Sequence, residues 1–354
     1  MSDSIIKSIP SIDLSLFTKG STKQKEEFYT QLRYAAHEIG FFYLVGHDVS
    51  DELCYTLQLS SCKFFALPLA LKQKIALDRS PHFRGYTQMG GEYTLGSKDY
   101  REEIDLGFEQ SALVSDPAFM RLYGPNQWDD SIPELAQLRV VFYEYQRAVN
   151  TMGMSLLEGF SHALYGRGGV FTHLFDPLPY QHVKIIHYPG LMKDNAKYCA
   201  DTQGVGAHKD DGFLTLLLVD DIGGLQVEVR KNEWLDVGRK KGAFIVNIGE
   251  FLELATDGYL RATTHRVKSP KLGEDRYSIA MFLGADLNSQ VRVIHLPDEL
   301  KNKARGIECD PSNPLIAHIG WNYLKHRLRS HPDVAQKYYT DVYDASNPAN
   351  PVKL

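Results

Sequence analysis

Between residues 180 and 282 the chain is cut into short apolar runs separated by turn residues. Six runs stand out, at 182–188, 213–219, 225–229, 243–248, 265–267 and 277–282. Strands of this length and spacing predict a sandwich, a barrel or a jelly roll. One helical stretch, 251–256, interrupts them. No other part of the sequence limits the fold as strongly.

The first half reads differently. Ser21 and Gln24 carry the side chains of a capping box. Phe28, Leu32, Ala35, Ala36 and Ile39 follow at helical spacing, and Gly40 is placed to end the helix. Residues 41–45 are a compact apolar run and predict a strand before the turn at Gly46. Ser50 predicts the cap of a second helix carrying Leu53, Leu57 and Phe64, with Pro68 beyond it. Residues 78–130 are rich in Gly, Asp, Pro and aromatics and predict loops with short strands. Pro133 suits the first position of a long helix. Leu135, Leu138, Phe142, Tyr145, Val149 and Met152 begin its apolar stripe, and Gly166 stops it. Residues 322–343 predict a C-terminal helix with basic residues.

Composition narrows the function. Lys and Arg number 39 against 44 Asp and Glu, a formal charge of −5. A nucleic-acid protein needs a basic face, so that class is disfavoured. The four cysteines, Cys54, Cys62, Cys199 and Cys309, form no CxxC pair. A disulfide scaffold and a thiolate zinc site are therefore not expected, and the four read as buried small hydrophobes. No apolar run approaches the roughly 20 residues that cross a bilayer. The first residues, Met1-Ser2-Asp3-Ser4, lack a secretory pattern. The expectation is a cytoplasmic protein, a monomer or weak homo-oligomer, with no membrane partner.

Three residues carry a chemical signal. His208 and Asp210 stand two apart, so in an extended strand they face the same side. His265 arrives from a later run. Two imidazoles and one carboxylate on one face of an octahedron leave three positions open. That arrangement suits a non-haem Fe(II) oxygenase, which binds co-substrate and O2 together. Alone, such a pattern is weak, and each residue is more often a surface or hydrogen-bonded one. Arg276 and Ser278, in Arg-Tyr-Ser, strengthen it because they also share a strand face. A guanidinium grips a carboxylate through two parallel hydrogen bonds, and a hydroxyl adds another.

The stretch from Gly206 to Thr215, with Gly223-Gly224-Leu225, Val246-Asn247-Ile248-Gly249, Thr264-His265-Arg266-Val267 and Arg276-Tyr277-Ser278, resembles a known family. It is similar to the isopenicillin N synthase-like branch of the iron/2-oxoglutarate-dependent dioxygenases. Ile9-Pro10, Gly40-Phe41-Phe42 and Arg84-Gly85-Tyr86 extend the resemblance into the N-terminal half. The resemblance implies an α+β fold with a mainly β core, a distorted double-stranded β-helix (jelly roll) with flanking helices. It implies one catalytic unit over 1–354, with a mostly helical region at 1–175. The iron-bearing core would span 176–300 and a C-terminal helical region 301–354. Fe(II) would be held by His208, Asp210 and His265. 2-Oxoglutarate would meet Arg276, Ser278 and Tyr188, and O2 would be the oxidant. The reaction would oxidise a small organic molecule, most often by hydroxylation, with release of succinate and CO2.

One departure bears on the co-substrate. Plant-type members carry Asn-x-Tyr on the strand before the iron motif, and here Ile186 stands in place of the asparagine while Tyr188 is kept. Lys184 and Ile186 share a face with Tyr188 and are candidates to line the pocket. Lys184 equally suits the barrel rim. Two alternatives stay open. One is a 2-oxoglutarate-independent iron oxidase of the isopenicillin N synthase type, whose substrate carboxylate would use the same Arg276 and Ser278. The other is a non-catalytic metal- or ligand-binding jelly roll. Substrate selection is expected around residues 83–106 and the C-terminal helix, with Phe83, Tyr86, Tyr93 and Tyr100 among the aromatics. Arg101 or Lys184 is a candidate partner for an acidic substrate group. Arg84 and Tyr86 either pack the N-terminal lobe or close over substrate. Thr264 and Arg266 are candidate supports for His265, while His182, His187 and His295 read as structural or exposed.

Overall fold

In a strand, side chains alternate between two faces, so a strand buried on both sides needs apolar residues on one face and pocket residues on the other. The computed structural model, which describes residues 7–94, 96–113, 116–190, 203–308 and 310–353, is built on that alternation. The early strands are β1 (Ser11–Asp13), β2 (Phe41–Val45), β3 (Gly85–Thr87), β4 (Tyr93–Thr94), β5 (Ser97–Lys98) and β6 (Glu102–Gly107). The central ones are β7 (Pro179–Tyr188), β8 (Gln203–His208), β9 (Leu214–Val219) and β10 (Leu225–Arg230). The last are β11 (Glu233–Asp236), β12 (Phe244–Ile248), β13 (His265–Lys268) and β14 (Arg276–Asp286).

They form an eight-stranded sheet in the order β1-β2-β12-β9-β14-β7-β6-β3 and a four-stranded sheet in the order β11-β10-β13-β8. Only β1 and β2 pair in parallel in these two sheets. Ile186, Val219 and Ile245 of the large sheet pack with Val205, Leu225 and Val267 of the small one, so the two sheets face each other. This is a jelly roll. Strands from before residue 176 extend the large sheet on both flanks.

The outer face of the large sheet is covered by helices. The helix Pro133–Tyr165 starts on its proline and ends on Gly166, whose φ is +66°. Its Gly153 lets the sheet come close, because a Cβ there would sit 2.8 Å from Leu216 Cδ1. Along β14, Ile279, Met281 and Leu283 turn to this helical side, while Arg276, Ser278, Ala280 and Phe282 line the cavity between the sheets. The capping box at Ser21 is present, and Ser50 accepts the Leu53 N–H as its helix cap.

Three features differ from the sequence reading. β8 reads Gln-Gly-Val-Gly-Ala-His and has no apolar run to announce it, yet its backbone pairs with β13 at the sheet edge. The short β11 was likewise unmarked. The predicted C-terminal helix is two helices, Ile319–Ser330 and Pro332–Tyr338, because Pro332 has no N–H to carry the first one through. Cys54 is buried and burial pushes its thiol up to about 11, while Cys62 is half-buried. Cys199 and Cys309 lie outside the described residues. Among the described residues no helix is long and apolar enough to cross a membrane.

Leu216 is fully buried between the sheet and Gly153. Leu216→Ala is expected to cost about 3 kcal/mol of stability, seen as a lower urea midpoint. A loss below about 1 kcal/mol would contradict this packing.

Candidate active site

The antiparallel register of β8 and β13 places His208 directly opposite His265. Asp210 follows β8 by two residues and turns back to both rings. Its Oδ1 lies 3.3 Å from His208 Nε2 and 3.5 Å from His265 Nε2. Its Oδ2 accepts hydrogen bonds from Thr215 Oγ1 at 2.6 Å and Asn247 Nδ2 at 2.8 Å. One carboxylate oxygen is thus fixed by two donors, and the other is left to point between the imidazoles.

The histidines are oriented by backbone. His208 Nδ1 is 2.7 Å from the Gly206 carbonyl and His265 Nδ1 is 3.1 Å from the Thr263 carbonyl. A carbonyl oxygen only accepts, so each Nδ1 carries the proton and each Nε2 presents a lone pair. The support for His265 comes from the Thr263 backbone rather than from Thr264. Arg266 turns away and stacks over the Trp234 ring at 3.9 Å. Burial pushes His265 down to about 4. Burial also opposes charge on His208, but the hydrogen bond and charge of Asp210 outweigh it and raise the imidazole. Asp210 is held below the ordinary carboxylate range, since the two histidines and Thr215 outweigh its burial. Two imidazole nitrogens and a carboxylate oxygen that converge in this way fit a divalent iron.

The second half of the site lies across a cavity of about 760 Å³. Arg276 pairs with Tyr188, Ser278 with Ile186, Ala280 with Lys184 and Phe282 with His182 across the β14–β7 ladder. Arg276 is 1% exposed, and its Nη1 meets Ser278 Oγ at 3.4 Å. Its guanidinium carbon sits 4.6 Å from the centre of the Tyr188 ring, a cation–π contact. Its Nε has no hydrogen-bond partner, and among the described residues no carboxylate pairs with it. A buried guanidinium in that state is able to pair with an incoming carboxylate.

The remaining candidates sort themselves. Tyr93, Arg101, Lys184 and Ile186 line the cavity. Lys184 is buried rather than extended to the rim, and it donates to Glu103 at 2.5 Å and Glu92 at 2.8 Å. Phe83 and Tyr86 are core residues away from the cavity, and Arg84 is buried over the Tyr180 ring at 5.4 Å. His182 is buried against Asp105 at 2.5 Å, His187 bonds Glu102 at 2.8 Å, and His295 is exposed. Thr215, Asn247, Glu92, Phe282 and Arg327 were not singled out by the sequence as site residues. Asn247 had a signal, a polar residue inside the apolar run Phe244–Ile248.

Residues 180–285 match the family described as the 2OG-Fe(II) oxygenase superfamily. Residues 9–131 match the N-terminal region of the non-haem dioxygenases of morphine synthesis. A 2-oxoglutarate-dependent dioxygenase, frbJ, of Dothideomycetidae sp. (strain 11243) is 31% identical over 94% of this chain and 92% of its own. The chain belongs to the iron(II)/2-oxoglutarate-dependent dioxygenases. A homoarginine-6-hydroxylase of Arabidopsis thaliana is 32% identical over 76% of this chain and 73% of its own. Among solved structures, a full-length Neurospora crassa protein in complex with alpha-KG shares the fold with a TM-score of 0.73. It is 22% identical over 95% of this chain and 100% of that one. As a dioxygenase of this family the protein is an oxidoreductase that uses Fe(II), 2-oxoglutarate and O2.

Thr215 and Asn247 fix the dioxygenase's Asp210 without touching the space between the imidazoles. Thr215→Val, which keeps the shape and removes the donor, is expected to weaken Fe(II) binding about 10- to 100-fold in an anaerobic titration. An unchanged affinity would show that the hydroxyl does not hold the carboxylate.

Proposed function

We propose that His208 Nε2, Asp210 Oδ1 and His265 Nε2 bind the iron, and that Arg276 with Ser278 holds the far carboxylate of 2-oxoglutarate. The observation that carries this reading is the convergence of those three atoms opposite a buried guanidinium that, among the described residues, forms no salt bridge, in one cavity. When bound, the iron supplies oxidation by O2 coupled to conversion of 2-oxoglutarate into succinate and CO2. The chain supplies the rest. Arg276 and Ser278 orient the co-substrate, and Tyr188 covers the guanidinium face. Ile186 and Leu217 line the same cavity and keep water from its apolar middle. Without the asparagine that Ile186 replaces, the grip rests on the Arg276–Ser278–Tyr188 group.

The substrate is a small organic molecule, and hydroxylation is the outcome this site supports best. Solved structures of similar fold hold thymine and 5-formyluracil, molecules of that size. We also propose the isopenicillin N synthase-like arrangement and a cytoplasmic location. Ile186 in place of the asparagine is the feature that keeps a 2-oxoglutarate-independent oxidase as the second reading.

His208→Ala, Asp210→Ala and His265→Ala are each expected to abolish substrate-dependent succinate production and to weaken iron binding. Full turnover by any of them would refute the assignment. Arg276→Leu is expected to raise the 2-oxoglutarate concentration needed for half-maximal rate by at least about tenfold, since a charged hydrogen-bond pair is lost. An unchanged requirement would move the co-substrate grip elsewhere.

A further inference from the structure

Beyond the iron and the co-substrate grip, the cavity wall holds a cluster of charged groups that the proposed chemistry does not use. Arg101, Lys184 and Arg327 line the cavity, and each is more than nine-tenths buried. Each already has a carboxylate behind the wall. Arg101 lies 3.4 Å from Asp99 and 3.3 Å from Glu103. Lys184 lies 2.5 Å from Glu103, and Arg327 lies 2.9 Å from Asp105. Asp99, Glu103 and Asp105 are fully buried and do not reach the cavity. Three cations are thus matched by three carboxylates from behind.

Glu92 is a fourth carboxylate, and it stands on the cavity side. It accepts from Lys184 at 2.8 Å and from Arg101. A carboxylate has about four lone-pair positions, so these two bonds leave room for more donors. The two histidines of the cluster add no charge, because burial pushes both His182 and His331 down. Among these three cations and four carboxylates there is thus one carboxylate in excess. Burial together with Glu92 and Asp105 pushes the Glu103 carboxyl well above its usual range, the direction expected where carboxylates outnumber cations.

We infer that Glu92 is a specificity-determining residue that receives a positively charged group of the substrate, an ammonium or guanidinium on a small organic body. This rests on the iron and 2-oxoglutarate reading of the same cavity. Arg101 and Lys184, the sequence-based candidates for an acidic group, are each shared between Glu92 and the carboxylates behind the wall. Glu92 is well placed for the role. It directly precedes β4, whose Thr94 packs against Gly206, two residues before His208. A cation held at Glu92 leaves the rest of the molecule lying along the cavity toward the iron ligands. Tyr93, Phe282 and Leu328 offer that body apolar surface.

The test uses the enzyme loaded with Fe(II) and 2-oxoglutarate, and probes that differ in one charged group: arginine against citrulline, and lysine against norleucine. Succinate release is measured with each probe, and probe binding is measured separately by anaerobic calorimetry. At least one cationic probe is expected to bind and to stimulate release, with its neutral partner weaker by about 10- to 100-fold. Glu92→Gln is expected to erase that discrimination and Glu92→Asp to keep part of it, with a cooperative melting transition showing that both are folded. Neutral probes, or glutamate, binding better than the cationic ones would overturn the inference. So would a failure of both cations to bind an enzyme that does bind 2-oxoglutarate, or full discrimination by Glu92→Gln. An enzyme that binds no 2-oxoglutarate would instead defeat the reading of the site beneath it.

Discussion

The carboxylate of Asp210 ties the two sheets together. Its Oδ2 is held by Thr215 of β9 and Asn247 of β12, both in the large sheet. Its Oδ1 faces His208 of β8 and His265 of β13, both in the small sheet. Taking a charge out of water is costly unless it is paired and hydrogen-bonded, and this one is hydrogen-bonded from the large sheet and faces the imidazoles of the small one. The jelly roll therefore has one point at which its opposed sheets agree on a single atom's position. The geometry offered to a metal follows from that agreement more than from the local sequence His-Lys-Asp.

The same cavity carries a second buried polar system, and the two differ in kind. The iron ligands are few and held by backbone carbonyls and short donors. The wall cluster of Glu92, Arg101, Lys184, Asp105 and Arg327 is a network of ion pairs drawn from the β4–β6 region, β7 and the C-terminal helix. Buried ion pairs are weak evidence of stability, since their desolvation offsets much of the attraction. Their placement beside a substrate-sized cavity gives them another use, as a fixed charge pattern that reads the substrate. A buried charge is costly without partners, so a wall with one carboxylate in excess favours a partner that brings a positive charge.

Much of this was legible in the sequence for stated reasons. β7, β9, β12 and β14 announced themselves because both faces of the large sheet are covered; alternation put Arg276 and Ser278 on one face, and the family resemblance singled out Tyr188. His208 and Asp210 were legible through their spacing of two. What stayed hidden depends on tertiary contact. β8 is held by backbone pairing to β13 and has too many glycines to read as a strand. Thr215 looks like an ordinary strand residue and Asn247 like no more than a polar break in an apolar run, until two strands bring them to one oxygen. Glu92 and Arg101 sit in a stretch rich in Gly and charged residues, where sequence spacing does not reveal which charges meet. Lys184 could be placed on the pocket face, but its carboxylate partners come from other strands.

The central claim is that one iron is shared by the two sheets through Asp210, with 2-oxoglutarate anchored on Arg276. A crystal structure of the enzyme grown anaerobically with Fe(II) and 2-oxoglutarate tests it most directly. The account predicts iron bound by Nε2 of His208, Nε2 of His265 and Oδ1 of Asp210, with the far carboxylate of 2-oxoglutarate on Arg276 and Ser278. Iron at another set of side chains, or the co-substrate carboxylate seated on Arg101 and Lys184, would contradict it.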